Sequence, residues 1–228
     1  MKPSTAFLSS FVLLLATVPT TVASAQVTPK GSKSLLRLKW VKGRTYNYSL
    51  AMQASFQGQE QAAQTAGITM DVLDAKNGKG TVKLRSSGEI PLLQKPMTTV
   101  IDSRGRGGLG GSMTEELIQL PEKPMAVGQS WTYSQSTTTQ MGKANITYKC
   151  TFRGIQGSGA QKVANIGVAL VIKGSNLSGS GTGDLTIDAE DGMIRRMTQE
   201  INMQSKTTSS KGKTTTMNIP IKLVLQRQ

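Results

Sequence analysis

The chain has no histidine, one cysteine, two tryptophans, four tyrosines and four phenylalanines in 228 residues. Without histidine it lacks the commonest general base and metal ligand at neutral pH. No Gly-x-Ser-x-Gly elbow occurs either, so the usual serine-nucleophile machinery has neither its turn nor its base. A lone Cys150 excludes an internal disulfide. Few aromatic rings leave little for stacking on single-stranded bases, and no nucleic-acid partner is expected. Beyond the N-terminus no apolar run approaches the roughly 20 residues that cross a bilayer, so no transmembrane helix is expected in the mature chain. With aromatics scarce, the core rests on Val, Ile, Leu and eleven Met.

The N-terminus carries the longest apolar stretch, Ala6 to Val18, behind a single charge at Lys2. Ala23 and Ala25 have the spacing that a signal peptidase reads, so residues 1–25 are an expected export signal and Gln26 the first mature residue. No cysteine sits there for lipid attachment. The expected location is periplasmic or secreted. The formal net charge is +14, which favours attraction to acidic surfaces without deciding the fold. Roughly 200 mature residues suffice for a buried core in one all-β domain.

Period-two alternation dominates what remains. Residues 26–34 read as a flexible lead-in. Leu36, Leu38 and Trp40 then alternate with polar neighbours. Tyr46, Tyr48, Leu50, Met52, Ala54 and Phe56 share one side of a long strand, because a helix would scatter them around its circumference. Ile68, Met70 and Val72 form the next strand, and Asn77-Gly78 is a hairpin turn. Pro91 and Pro96 interrupt the pairing. Ser112 to Gln119 fits a short helix with Glu115 three positions after its cap. Further strands carry Trp131 and Tyr133, then Ile146, Tyr148, Cys150 and Phe152, a row that makes the thiol buried and inert. Ile166 to Ile172 is apolar on both sides through Ala169 and Val171, so it is expected to be central and doubly covered. Ile194 to Met203 returns from a turn at Asp191-Gly192. Met217 to Leu225 closes the chain, with Pro220 implying an edge.

The turn Lys42-Gly43-Arg44 before Tyr46 and Tyr48 recurs as Val127-Gly128-Gln129 before Trp131 and Tyr133. Ile68-Thr69 matches Ile146-Thr147, and Ile101-Asp102 matches Ile187-Asp188. The reading is mainly β: a curved antiparallel sheet or open half-barrel of roughly ten strands, with at most one or two short helices. Residues 35–228 form one domain, with similar halves at about 35–119 and 120–228.

Three segments carry a family resemblance: Leu38-Lys39-Trp40-Val41-Lys42-Gly43-Arg44-Thr45-Tyr46, Leu120-Pro121-Glu122-Lys123-Pro124 through Trp131, and Ile187-Asp188-Ala189-Glu190-Asp191-Gly192-Met193. Together they resemble exported bacterial proteins grouped as domains of unknown function, in which a leucine-proline … valine-glycine-x-x-tryptophan segment opens a second half. That resemblance implies no catalytic residue. More distantly, the pattern is similar to the periplasmic lipoprotein-carrier fold, a half-barrel with an apolar concave face; this is an analogy of architecture.

Few constellations could carry chemistry. Asp184, Asp188, Glu190 and Asp191 are closely spaced oxygen ligands, but they match no calcium loop and also suit a solvated turn. As a glycosidase pair they lack any measured separation. Arg104 and Arg106 in a Gly-rich stretch, with Arg37 and Lys39, are the candidate anion contacts. The stretch lacks the Gly-Lys-Ser/Thr ending of a phosphate loop. Basic residues cluster at both ends of the chain and would form one positive face if the terminal strands were neighbours. Leu50, Met52, Met70, Met197 and Met203 are the candidate apolar contact face. No catalytic residue, cofactor or metal is assigned. The leading reading is a non-enzymatic envelope protein that binds an apolar or amphipathic ligand, such as a lipid, or a protein partner on a curved sheet. The alternatives are an adhesion protein using its basic face on anionic envelope polymers, and a hydrolase with a carboxylate or lysine site.

Overall fold

The computed structural model describes residues 27–56, 58–88, 95–107, 118–139, 142–208 and 214–228. The expected export signal, Pro91 and most of the helix expected from Ser112 lie outside these residues. Ile118 and Gln119, the described end of that span, are not helical. The strands are β1 (Val27–Lys30), β2 (Lys33–Leu36), β3 (Thr45–Phe56), β4 (Gln59–Glu60), β5 (Gln64–Lys76), β6 (Lys79–Gly88), β7 (Met97–Asp102), β8 (Ser130–Thr139), β9 (Gly142–Gln156), β10 (Val163–Gly174), β11 (Leu177–Asp188), β12 (Ile194–Thr208) and β13 (Thr214–Arg227). Among the described residues the one helical turn is Gly159–Gln161.

Ten strands lie side by side in the order β7-β6-β5-β3-β13-β12-β11-β10-β9-β8, with β4 paired to β3. All pairings are antiparallel. Apart from the small β4, each neighbour in space is a neighbour in sequence except at β3 and β13. The meander is therefore bent round until its last strand pairs with its first. The sheet is open, with its seam between β7 and β8. Alternation explains the long strands: in β3, Tyr46, Tyr48 and Leu50 are buried while Asn47 and Ser49 are exposed. At the β5–β6 turn Asn77 and Gly78 both have positive φ, 52° and 69°, as a two-residue hairpin requires.

The sequence echo is an echo in geometry. Gly43 N–H donates to Val72 O, Val72 N–H to Arg44 O, and Arg44 N–H to Val41 O. Gly128 N–H donates to Phe152 O, Phe152 N–H to Gln129 O, and Gln129 N–H to Ala126 O. Both glycines have positive φ, 80° and 86°. At the far end of each unit an aspartate accepts from the N–H two residues on, Arg104 to Asp102 and Glu190 to Asp188, each at 2.8 Å. The repeated unit is thus β3-β5-β6-β7 and β8-β9-β10-β11. Among the described residues the hairpin β12–β13 has no counterpart in the first half, and it joins the second unit to the first. The bonding equates Val72 with Phe152, and hence Ile68 with Tyr148 rather than with Ile146. Two-residue slips are invisible to a period-two pattern.

One apolar cluster joins both units: Tyr46, Met70, Val82 and Ile101 on one wing, Cys150, Phe152, Ile166 and Leu185 on the other. In a flat sheet β6 and β9 would lie about 34 Å apart, so sharing a cluster requires the sheet to curl. The bend is made at β11. Gly179, Gly181 and Gly183 alternate on its inner side, opposite Met203, Ile201 and Gln199 of β12. A Cβ at Gly181 would come within 2.7 Å of Glu200 O, and one at Gly179 within 2.6 Å of Asn202 O. Only bare backbone lets the two strands coil this tightly.

Several expectations are corrected. Of the expected flexible lead-in at 26–34, the described residues 27–34 are not free: β1 and β2 pair as a hairpin, and Val27 and Leu36 are in the core at 1% and 0% exposure. Leu38 and Trp40 are buried but belong to no strand; Trp40 lies on Gly80, where its ring occupies the space of a side chain. The outward face of β10 is not covered, since Val171 is 44% exposed. Pro220 sits in a strand between two partners, yet pairing with β3 begins only at Ile221, so the proline marks where that ladder stops.

Candidate functional site

The inner face of the curled sheet is a trough with one closed end. Inward rows follow from the register: Tyr46, Tyr48, Leu50, Met52 and Ala54 on β3; Leu225, Leu223, Ile221 and Ile219 on β13; Met197, Gln199, Ile201 and Met203 on β12. Across the glycine row, Ile166, Val168, Leu170 and Ile172 continue it on β10. At the end holding residues 27–44, 102–107, 118–129 and 188–194 the chain itself fills the trough. Leu36, Leu38, Trp40, Leu120, Met125 and Met193 pack there against the sheet. Backbone bonds fasten this plug: Leu38 N–H to Ser103 O, Lys39 N–H to Asp191 O, Val27 N–H to Ala189 O, and the Ser34–Met125 bridge.

Toward the other end the face is covered less. Leu50 and Ala66 form a small cluster with Met52, Leu223 and Leu225 against it. Ala144, Leu170, Ile172 and Leu177 form another, with Ile146, Ile201 and Met203 packed on it over the bare glycines. Met52, Ile146, Ile201, Met203, Ile221 and Leu223 are half-buried. Of the candidate apolar contacts, Met70 is core at 2% exposure and Leu50 is buried, while Met52, Met197 and Met203 are half-buried. Met197 packs on the main cluster and Met203 on the open-end one. Ile201, Ile221 and Leu223 share the face with Met52 and Met203. Their alternation is legible in the sequence; their place beside β3 is not.

The carboxylates of the 184–191 cluster separate. Asp184 pairs with Arg153 on the surface. Asp188 Oδ2 lies 2.6 Å from Arg227 Nη2 and 2.9 Å from Arg195 Nη2. Asp191 Oδ2 lies 3.2 Å from Arg227 Nη1 and 3.5 Å from Arg44 Nη1. Both aspartates are buried, and each also caps its own turn through Glu190 N–H or Met193 N–H. Burial alone would raise Asp188, but the Glu190 N–H and the guanidinium groups of Arg195 and Arg227 outweigh it and hold the carboxyl below its ordinary value. Tyr46 completes the knot, with Arg44 at 5.3 Å from its ring centre. Burial first, then the Asp191 charge, push its hydroxyl up to about 12. Among the described residues no group of three or more acidic, His or Cys side chains could hold a metal ion.

Arg37, Arg104 and Arg106 meet at the closed end. Arg37 donates to the carbonyls of Leu36, Pro121 and Glu122 at 2.6–2.7 Å. Burial, then the charge of Arg104, lower its pKa. Arg104 Nε donates to Leu120 O, and Arg106 pairs with Asp102 at 2.7 Å. Lys39 follows on the same extended segment. β3 and β13 are neighbours, and Arg227 of the C-terminal basic group joins Arg37 and Arg44 at the closed end, sharing Asp191 with Arg44, while Lys206 lies at the other end. Cys150 is fully buried, and burial pushes its thiol up to about 12.

Among the described residues no helix is long and apolar enough to cross a membrane. No family model matches the chain. No curated protein matches it. Among solved structures it is similar to one described as "lipid-protein interactions in lipovitellin", at 13% identity and a TM-score of 0.44, over 83% of this chain. The chain spans a quarter of the length of that structure. At this level of likeness, neither that protein's fold nor its ligand carries over to this chain.

Proposed function

We propose that this chain is an exported, non-enzymatic protein that holds an apolar or amphipathic ligand on the open half of its curled sheet. The observation that carries the reading is the asymmetry of one continuous face. Half of it is sealed by the N-terminal segment and three connecting segments; the other half leaves Met52, Met203, Ile201, Ile221 and Leu223 half-buried. Methionine suits such a surface, because its unbranched thioether adapts to ligands of different shape. The acid–arginine knot belongs to the sealed half and acts as a clasp.

The test is titration with N-phenyl-1-naphthylamine, a neutral dye that brightens in apolar surroundings. Saturable binding is expected, at least tenfold weaker in Met203→Glu and Leu223→Glu, with unchanged circular dichroism. Equal binding by wild type and both variants would remove the trough as the site. Export is tested separately, by N-terminal sequencing of protein recovered outside the cytoplasm; Gln26 is the expected first residue.

A further inference from the structure

The open end of the trough is bordered on its outer side by lysines. Lys143 is the second residue of β9, Lys173 the last but one of β10, and Lys206 lies two residues before the end of β12. Lys173 stands opposite Asn145 and Ser178, and Ser178 opposite Gln204. Lys143 and Lys206 are therefore each two residues beyond that row, about 7 Å. Strand alternation turns all three away from the trough, and all three are exposed.

Their electrostatic setting is the reverse of the closed end. There Arg44, Arg106, Arg195 and Arg227 each face a carboxylate. Lys143, Lys173 and Lys206 form no ion pair among the described residues. Glu60 on β4, opposite Ser55 of β3, is the described carboxylate at the open end, and on β8 to β13 none lies nearer that end than Glu200, which stands opposite Lys222. Beneath Lys206 and beside Lys173, across β11 to β13, is a shallow depression of about 470 Å³ bordered by Ser178, Ser180, Asn202, Gln204, Asn218 and Pro220. It offers neutral hydroxyls and amides. The lysines run from β9 to β12, three strand spacings or about 14 Å, wider than one small anion.

We propose that this end of the molecule docks on an anionic lipid bilayer, with Lys143, Lys173 and Lys206 among the head groups and the amides and hydroxyls beneath hydrogen-bonding to them. The proposal rests on the trough reading for its purpose, since docking there brings the open face to the surface from which an apolar chain enters. It does not rest on it for its test.

The test is co-sedimentation of the mature chain with phosphatidylcholine vesicles, with and without phosphatidylglycerol. Binding is expected only to the anionic vesicles and is weakened by salt. A Lys143→Gln/Lys173→Gln/Lys206→Gln variant should lose roughly a hundredfold in vesicle affinity. A Lys30→Gln/Lys76→Gln/Lys123→Gln variant, with the same charge change at the closed end, should lose little. Equal losses in the two variants would reduce the effect to net charge and overturn the proposal. Absence of vesicle binding would also overturn it, and retention on a soluble polyanion would then redirect the lysines to a polymer. Dye binding on the same samples separates the two readings: the open-end variant keeps it, and a wild type that binds vesicles without dye would sink the trough alone.

Discussion

Cys150 illustrates how much a single position reveals. Its place in the row Ile146, Tyr148, Cys150, Phe152 made burial legible from alternation alone, and it is fully buried. With its thiol pushed up to about 12, the thiolate is scarce at pH 8. A thiol reagent at that pH should leave the folded chain unmodified and label one site in urea, as intact mass would report. Asp188 and Tyr46 set opposite limits on pH. Asp188 is lowered on folding, so its contribution is present above the ordinary carboxylate value near 4 and fades as pH falls below it. Tyr46 is raised, so its contribution is complete below about 10 and fades as pH climbs from there through about 12. The urea midpoint should hold level between roughly pH 5 and 9 and drop on both sides. What sequence could not supply was the partners. Four acids near a turn looked like a solvated cluster or cation ligands, and only the closure of the sheet brings Arg44 and Arg227 against Asp188 and Asp191.

At the scale of elements, the long strands were legible: β3 and β5 stand where period two puts them, β10 where its continuous apolar run does, and β12 where the return from the Asp191-Gly192 turn does. The failures have identifiable causes. Val27 and Leu36 flank a short polar stretch, and the two apolar positions are too few to signal a hairpin without the core they enter. Ser178-Gly179-Ser180-Gly181-Thr182-Gly183 has the composition of a linker, because glycine is depleted in strands. Here it is a strand because neighbouring backbone comes too close for side chains. Gly181→Val should therefore destabilise by about 3 kcal/mol, as overpacking against Glu200 O and Ile201. Ser180→Val, one position away on the exposed outer side, should stay within about 0.5 kcal/mol. Chemical denaturation of the two variants measures the contrast.

At the scale of the whole molecule, the duplicated turn predicted two matching units, and the hydrogen bonds of Gly43 and Gly128 repeat bond for bond. That the hairpin β12–β13 would stand unmatched was not legible, because its alternation is like that of any other strand pair. It converts two meanders into one open ring. Arg227 fastens the joint by reaching both Asp188 and Asp191 from the last residue of β13. Arg227→Gln leaves two buried carboxylates short of a cation, and a loss of about 3 kcal/mol is expected, at the lower end for a broken buried pair because the arginine is 18% exposed. The urea midpoint reports it directly.

The joint between β3 and β13 also sets an order of events. Leu50 meets Leu225, and Ser49 accepts a hydrogen bond from Gln228, 179 positions later. The early strand must wait, with one side unsatisfied, until the tail has been synthesised. Contacts so distant along the chain make for slow folding. A newly emerged chain lacking its final dozen residues would present a sticky ribbon to its neighbours. Removal of the tail should therefore yield insoluble protein rather than a smaller soluble one.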